Sequence, residues 1–236
     1  MITTILFDLD GTLLPMDQDK FVKSYIGRMA KKLAPYGYDP KLLTAGLWKG
    51  TGAMVKNTGE KTNEDVFWSA FNAIAGKDCR EHEALFMDYY CNEFQLVAQD
   101  CGFDPRASQA IAEIKAKGYR VVLATNPLFP AIATHSRAKW AGLNPGDFDL
   151  ITTYENSRHC KPNPEYYRDI LEALNLTAEE CIMVGNDATE DVAAEKLGIP
   201  VFLLTDCLIN KNSIDLDRYP HGSFSELLNY VQRLTL

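Results

Sequence analysis

The chain has 236 residues, of which 46% are hydrophobic, and its formal net charge at pH 7 is −8. This length and hydrophobic content predict a globular protein with one large domain or two unequal ones, and the acidic balance argues against nucleic acid as a partner. No segment approaches the ~18 consecutive apolar residues of a membrane span, and no basic segment precedes an apolar one at the N-terminus, so we expect a cytoplasmic protein with no membrane partner.

The first hundred residues contain one predicted strand followed only by helical patterning. Residues 2–8 have the apolar character of a buried strand. Large apolar side chains then recur at helical spacing within residues 21–33, 66–74 and 85–94. These stripes predict a helix bundle over residues 16–97, with the aromatic side chains in its core.

From residue 103 onward, predicted helices alternate with short β-branched strands. The predicted strands cover residues 119–125, 148–153, 181–185 and 201–204. The predicted helices cover 104–118, 130–141, 163–174 and 223–233, and a further helix opens after Gly185 and ends at Gly198. Such alternation is typical of a parallel sheet.

The fold expected from these elements is α/β, with a Rossmann-like doubly wound parallel sheet and an inserted helical domain. A single strand is not stable alone, so the strand at 2–8 belongs to the later sheet. The core is therefore predicted to comprise residues 1–15 plus 98–236, with residues 16–97 as an all-helical cap. This insertion follows the carboxyl end of the first strand, and open α/β sheets bind ligands at that edge.

The segment Asp8-Leu9-Asp10-Gly11-Thr12 places two carboxylates directly after the first strand. Residues two apart in a strand project to one face, so Asp8 and Asp10 can converge on one point. Two carboxylates held so close repel each other unless a cation or a proton lies between them. An Asp-Gly turn with solvated acids explains the pentapeptide equally well.

Three further polar signals fall at predicted strand ends or in the loops beside them. Each has an ordinary explanation alone, as a turn residue, a solvated lysine or a helix cap. Because the carboxyl ends of parallel strands share one edge, the four signals together predict a cluster of carboxylates with a lysine and a hydroxyl. Such a cluster suits Mg²⁺ and a phosphate group, and indicates phosphoryl transfer with a carboxylate nucleophile. The three signals are Thr125-Asn126, Lys161 and Asn186-Asp187 with Asp191.

These motifs, in this order, resemble the four motifs of the haloacid dehalogenase-like hydrolase superfamily. The spacing is similar to the branch with a helical cap after the first motif, which includes phosphoglycolate phosphatase-like and β-phosphoglucomutase-like enzymes. One departure is Asn186, which occupies a place that is often Gly or acidic in relatives. We choose Asp187 as the main metal ligand because it lies four residues before Asp191, and keep Asn186 as a possible ligand.

The resemblance implies a two-step phosphatase acting on a small phosphorylated metabolite. Asp8 would be the nucleophile that forms an aspartyl phosphate, and Asp10 would be the general acid and base. The implied Mg²⁺ ligands are Asp8, Asp10 and Asp187, with Asp191 behind them. The implied phosphate-binding residues are Thr125, Asn126 and Lys161.

Several alternatives stay open at this point. A phosphosugar mutase of the same superfamily uses the same core residues, and a receiver-like or non-catalytic phosphate-binding protein is a more remote alternative. Dehalogenation is disfavoured, because it does not need an acid-base carboxylate at Asp10. The sequence does not distinguish a monomer from a homodimer.

The cap residues that contact the substrate are the least defined part of the prediction. A glycine-rich break between cap helices is expected at residues 48–52, where it can approach the active site, and Trp48 is expected in the cap core. Lys49, Lys56 and Arg28 are candidates for binding a second anionic group of the substrate, although three solvated surface charges are the more ordinary interpretation.

Overall fold

The computed structural model describes residues 1–234. Its centre is a six-stranded sheet in the order β3-β2-β1-β4-β5-β6, in which every neighbouring pair is parallel. This confirms the predicted Rossmann-like α/β fold. The last strand is a two-residue edge strand that the sequence did not predict. The strands are β1 Thr4–Phe7, β2 Arg120–Leu123, β3 Leu150–Ile151, β4 Cys181–Gly185, β5 Val201–Leu204 and β6 His221–Gly222.

The first strand occupies the middle of the sheet, paired with β2 on one side and β4 on the other. All four of its residues are buried. Successive side chains point to opposite faces, so Ile5 joins the apolar cluster on one face and Leu6 the cluster on the other. Both faces of the sheet are therefore covered, as a doubly wound fold requires.

Four α-helices follow the insertion and pack on these two faces. The first and the last of these helices contribute side chains to the apolar cluster that contains Ile5. The third helix contributes side chains to the cluster that contains Leu6. The predicted core segment 98–236 ends two residues beyond the described part of the chain. The helices are α5 Pro105–Ala116, α6 Ala131–Trp140, α7 Pro164–Leu174 and α8 Phe224–Gln232.

The helix predicted to open after Gly185 is wrong in its first half. Residues 186–191 form turns, and only a 3₁₀ helix, Val192–Leu197, precedes Gly198. The carboxylate of Asp187 accepts hydrogen bonds from the backbone N–H groups of Thr189 and Glu190. Such bonds are typical of a helix N-cap, but the Asn186 carbonyl, which an α-helix would pair with the N–H of Glu190, accepts the N–H of Ile209 at 2.8 Å instead.

The insertion is helical throughout and has an apolar cluster of its own. Aromatic side chains dominate this cluster, which also includes Ala133 of α6, so the insertion packs against that helix. No helix within residues 1–234 is long and apolar enough to cross a membrane. The helices are α1 Gln18–Leu33, α2 Pro40–Val55, α3 Asn63–Ala75 and α4 Glu83–Cys91, followed by a 3₁₀ helix, Glu93–Asp100.

The predicted break at residues 48–52 is also wrong, because α2 continues through it. A Cβ atom on Gly46 would lie 2.9 Å from Cδ2 of Phe71, and one on Gly50 would lie 2.4 Å from Cδ2 of Phe67. These glycines let α2 approach α3 closely, and this packing outweighs their low helix propensity. Trp48, expected in the cap core, is instead 55% exposed.

Candidate active site

The turn after β1 fixes the position of the two predicted catalytic carboxylates. The backbone N–H of Asp8 donates to the Val184 carbonyl at 2.9 Å, which continues the pairing of β1 with β4 beyond the strand end. Gly11 then reverses the chain at a φ of +85°, and a Cβ atom there would lie 2.3 Å from Nδ2 of Asn186. Glycine therefore supplies the backbone conformation and also lets this turn contact the loop after β4.

Asp8 lies nearly buried at the carboxyl end of the central strand. Its Oδ1 accepts a hydrogen bond from Nζ of Lys161 at 2.9 Å, and its Oδ2 accepts one from the Thr12 hydroxyl at 3.1 Å. Burial raises the pKa of Asp8, Lys161 opposes this rise, and the nearby Asp10 adds to it. An additional positive charge here would stabilise the carboxylate form.

Lys161 is the buried cation of the site. Its side chain has no exposed surface, and its Nζ donates to Asp191 Oδ1 at 2.7 Å as well as to Asp8. Burial lowers the pKa of Lys161, but Asp191 and Asp8 raise it well above the ordinary value. One ammonium group thus faces two carboxylates, which leaves this part of the site with an excess of negative charge.

Asp191 holds the loop after β4 in place. Its Oδ2 accepts the backbone N–H of Asp187 at 2.9 Å, while its Oδ1 binds Lys161. Burial raises the pKa of Asp191 to about 6, against the opposing effect of Lys161. Both oxygens of this carboxylate therefore bind protein groups.

Asn186 and Asp187 lie side by side in that loop but differ in their contacts. The Asn186 amide donates to the Cys207 carbonyl at 2.7 Å and accepts from the Thr12 hydroxyl at 2.9 Å. It therefore ties the loop after β4 to the turn after β1. The carboxylate of Asp187 accepts backbone N–H groups through Oδ1 alone.

Asp10 pairs with an arginine that sequence reasoning missed. Asp10 Oδ2 accepts a hydrogen bond from Nη1 of Arg137, whose side chain is completely buried in α6. Arg137 also donates to the Thr134 hydroxyl at 3.3 Å and lies 4.3 Å from the centre of the Phe129 ring. Arg137 is four residues after the buried Ala133 and therefore on the inward face of its helix, but nothing in the local sequence marks Ala133 as buried.

The residues after β2 complete the polar edge. Thr125 is buried, and its carbonyl accepts hydrogen bonds from the hydroxyls of Thr152 at 2.6 Å and Tyr166 at 2.9 Å. The Asn126 amide donates to Glu190 Oε2 at 3.0 Å. Burial raises the pKa of Glu190 to about 7. Sequence reasoning also missed Glu190, although it lies directly before Asp191.

A cavity of ≈190 Å³ opens at this edge and brings the predicted residues together. Lys161 does not line the cavity, but its Nζ is bonded to Asp8, which does. Arg28, Lys49 and Lys56 are not among its lining residues: Arg28 bonds to Ser24 of its own helix, and the two lysines are exposed. The polar core residues that line it are Asp8, Asp10, Thr125, Asn126, Asn186, Asp187, Glu190 and Asp191.

The donors around this cavity suit a hard divalent cation. The Oδ1 atom of Asp10 is buried without a hydrogen-bond partner, and the lining side chains carry more carboxylates than the buried cations neutralise. Within residues 1–234 no three His, Cys, Asp or Glu side chains form a complete ligand set. Mg²⁺ does not need one, because it commonly binds one or two carboxylates, with water and substrate phosphate as its other ligands.

Comparison with known proteins places the chain among hydrolases. The family model described as haloacid dehalogenase-like hydrolase matches residues 2–198. A phosphoglycolate phosphatase of Colwellia psychrerythraea is 26% identical over 203 residues, which cover 85% of this chain and 83% of that protein. A pyrophosphatase PpaX of Bacillus cereus is 23% identical over 197 residues, which cover 84% of this chain and 80% of that protein.

Solved structures show the same fold. A 2-haloacid dehalogenase from Pseudomonas syringae pv. tomato matches with a TM-score of 0.63 at 20% identity and 99% coverage of both chains. A HAD phosphatase from Thermococcus onnurineus matches with a TM-score of 0.59 at 18% identity and 98% coverage of both chains. At these identities the likeness concerns the fold alone.

Proposed function

Because the chain belongs to the haloacid dehalogenase-like hydrolases, we propose that it is a Mg²⁺-dependent phosphatase that hydrolyses a small phosphorylated metabolite through an aspartyl phosphate on Asp8. The observation that carries this proposal is the arrangement of Asp8 itself. Its carboxylate lines the cavity, is bonded to a buried lysine, and has a second carboxylate two residues away in the same cavity. The phosphatase and pyrophosphatase names of the two relatives agree with it.

In the first step, a carboxylate oxygen of Asp8 attacks phosphorus and the bond to the leaving oxygen breaks. Asp10 gives its proton to that oxygen, so that the leaving group departs as a neutral alcohol. In the second step, Asp10 takes a proton from water, which attacks phosphorus and releases inorganic phosphate from Asp8. The two carboxylates therefore have separate roles although they are two residues apart.

The surrounding residues bind the phosphate and balance its charge. Lys161 favours the ionised form of Asp8 and orients it, and its ammonium group stabilises negative charge on the phosphoryl oxygens. The Thr125 hydroxyl and Asn126 complete the phosphate site at the end of β2. Mg²⁺, held by Asp8, Asp187 and the Asp10 backbone carbonyl with Asp191 behind them, would bring the phosphate and the nucleophile together and neutralise their repulsion.

The experiment is release of inorganic phosphate from phenyl phosphate by the full chain with Mg²⁺ and with EDTA. We expect release that requires Mg²⁺ and is lost in Asp8→Asn, but not in the matched control Asp217→Asn, whose side chain is exposed outside the site. Full activity in Asp8→Asn would contradict the proposal. Conversion of a sugar phosphate to its isomer without phosphate release would instead support the mutase alternative.

A further inference from the structure

A second cavity lies between the inserted helices and the core, next to the catalytic one. It has a volume of ≈160 Å³ and is lined by side chains of α1, α2, α3 and α4, together with the loops after β2 and β3. Val22, Leu128 and Phe129 line both cavities. The two cavities are therefore neighbours with these three side chains at their boundary, so a group attached to a phosphate in the catalytic cavity has the second cavity next to it.

The walls of the second cavity are almost entirely apolar. Most of its lining residues are aromatic or large aliphatic, such as Tyr25, Met29 and Phe86, and Glu83 is its one charged residue within the described chain. A dry apolar cavity of about 150 Å³ holds a benzene ring. The space therefore suits one aromatic ring or a branched aliphatic group.

Neither cavity offers a cation to a second anionic group of the substrate. Within residues 1–234, neither set of lining residues contains Lys or Arg. The buried cations nearby, Lys161 and Arg137, are already paired with carboxylates. A second phosphate or a carboxylate would lose its hydration against apolar walls and near the Glu83 carboxylate, which is unfavourable.

On the basis of the proposed phosphatase function, we propose that the substrate is a phosphate monoester whose leaving group is uncharged and apolar, with the size of one aromatic ring. This differs from the substrates in the names of the relatives, phosphoglycolate and pyrophosphate, each of which has a second anionic group.

The test compares three alkyl esters with Mg²⁺ by kcat/KM: 2-phenylethyl phosphate, ethyl phosphate and 2-phosphoglycolate. The first two have similar leaving alcohols and differ by one ring. Burial of a ring of this size predicts a roughly 10- to 100-fold preference for 2-phenylethyl phosphate over ethyl phosphate. We expect 2-phosphoglycolate to react no better than ethyl phosphate. Equal rates for the first two, or a preference for 2-phosphoglycolate, would overturn the inference and leave the phosphatase function intact.

A variant that fills the cavity gives the matched control. Thr51 lines the cavity from α2 and lies outside the catalytic machinery. Thr51→Phe should abolish the preference for the phenyl ester and leave ethyl phosphate hydrolysis unchanged, whereas Thr58→Phe, at an exposed position after α2, should preserve both. The comparison of esters on the unaltered chain stands even if Thr51→Phe does not fold.

A binding measurement separates failure of this inference from failure of the phosphatase function. If no ester is hydrolysed, the phosphatase function is contradicted, and calorimetry with non-hydrolysable 2-phenylethylphosphonate and ethylphosphonate still tests the cavity. We expect roughly 10- to 100-fold tighter binding of the phenyl compound. Equal affinities would overturn it.

Discussion

Removal of the Arg137 guanidinium should both destabilise the protein and slow the reaction. Arg137→Met keeps the length of the side chain but leaves Asp10 without its partner. Loss of one member of a buried ion pair costs about 3–5 kcal/mol. The Asp10 side chain is 22% exposed and can regain water, so we expect a lower cost of ~2–3 kcal/mol in the free energy of unfolding.

The effect on catalysis follows from the same contact. Arg137 does not line the catalytic cavity and acts through Asp10, which makes it a positioning residue. General acid-base catalysis contributes ~10²–10⁴-fold. In Arg137→Met the Asp10 carboxylate is still present but misplaced, so it should retain part of this rate enhancement. We therefore expect kcat to fall roughly 10- to 100-fold with little change in KM.

The assay is a double-mutant cycle of Arg137→Met and Asp10→Asn, read by kcat and by urea unfolding. In the Asp10→Asn background, Arg137→Met should lower kcat little further, because the carboxylate it positions is gone. Lys139→Met, at an exposed position on the same helix, is the matched control. Arg137 has no such positioning role if Arg137→Met behaves like Lys139→Met, or if the two effects on kcat multiply fully in the double variant.

Three further predictions concern stability and can be measured by urea unfolding in EDTA. Gly50→Ala should cost about 1–3 kcal/mol because its Cβ would clash with Phe67, whereas Gly52→Ala has open space and should stabilise α2 by ~0.5–1 kcal/mol; equal effects would contradict this packing. Lys161→Met leaves two buried carboxylates unpaired and should cost about 3–5 kcal/mol, so an unchanged midpoint would refute its charge-balancing role. Burial raises the pKa of Glu190 from 4.5 to about 7. The protonated side chain therefore gives the fold up to ~3 kcal/mol more stability than the ionised one, and this contribution is fully present below pH 4.5 and lost as the pH rises through 7. Glu190→Gln should therefore show a smaller loss of stability between pH 5 and 8 than the unaltered chain, and an identical pH dependence would count against this assignment.

The strands of the core could be predicted because their sequences match their environment. Residues 181–185 and 201–204 are continuous apolar runs, and the structure has strands at both places with those bounds. Such runs are typical of parallel strands buried on both faces. By contrast, His221–Gly222 pairs over only two residues at the sheet edge and has no apolar run to reveal it.

The errors arose where contacts between distant residues decide the local structure. The glycines of α2 look like a break in the sequence, but they allow α2 to pack against Phe67 and Phe71. In the turns after Gly185, the Asn186 carbonyl accepts the N–H of the distant Ile209, so it is not available to an α-helix. Local propensity alone identifies neither the packing partners of α2 nor the hydrogen-bond partner of the loop after Gly185.

The composition of the site followed from topology more than from any single motif. Asp8, Thr125 and Asp187 each come directly after a strand or one residue later, so a parallel sheet brings them to one edge. Arg137 and Glu190 are different, because their roles depend on the direction of a side chain from a helix or a turn. Sequence periodicity gives such a direction only for regular elements with a known neighbour.

The central claim is that Asp8 becomes phosphorylated during turnover, and acid-quenched peptide mass spectrometry tests it most directly. The enzyme is mixed with phenyl phosphate and Mg²⁺, quenched within the first turnover and digested. We predict one phosphoryl group on the peptide that contains Asp8, absent in EDTA and absent in Asp8→Asn. Phosphate release at full rate with no phosphoryl group on Asp8, or with the group on another residue, would contradict the account.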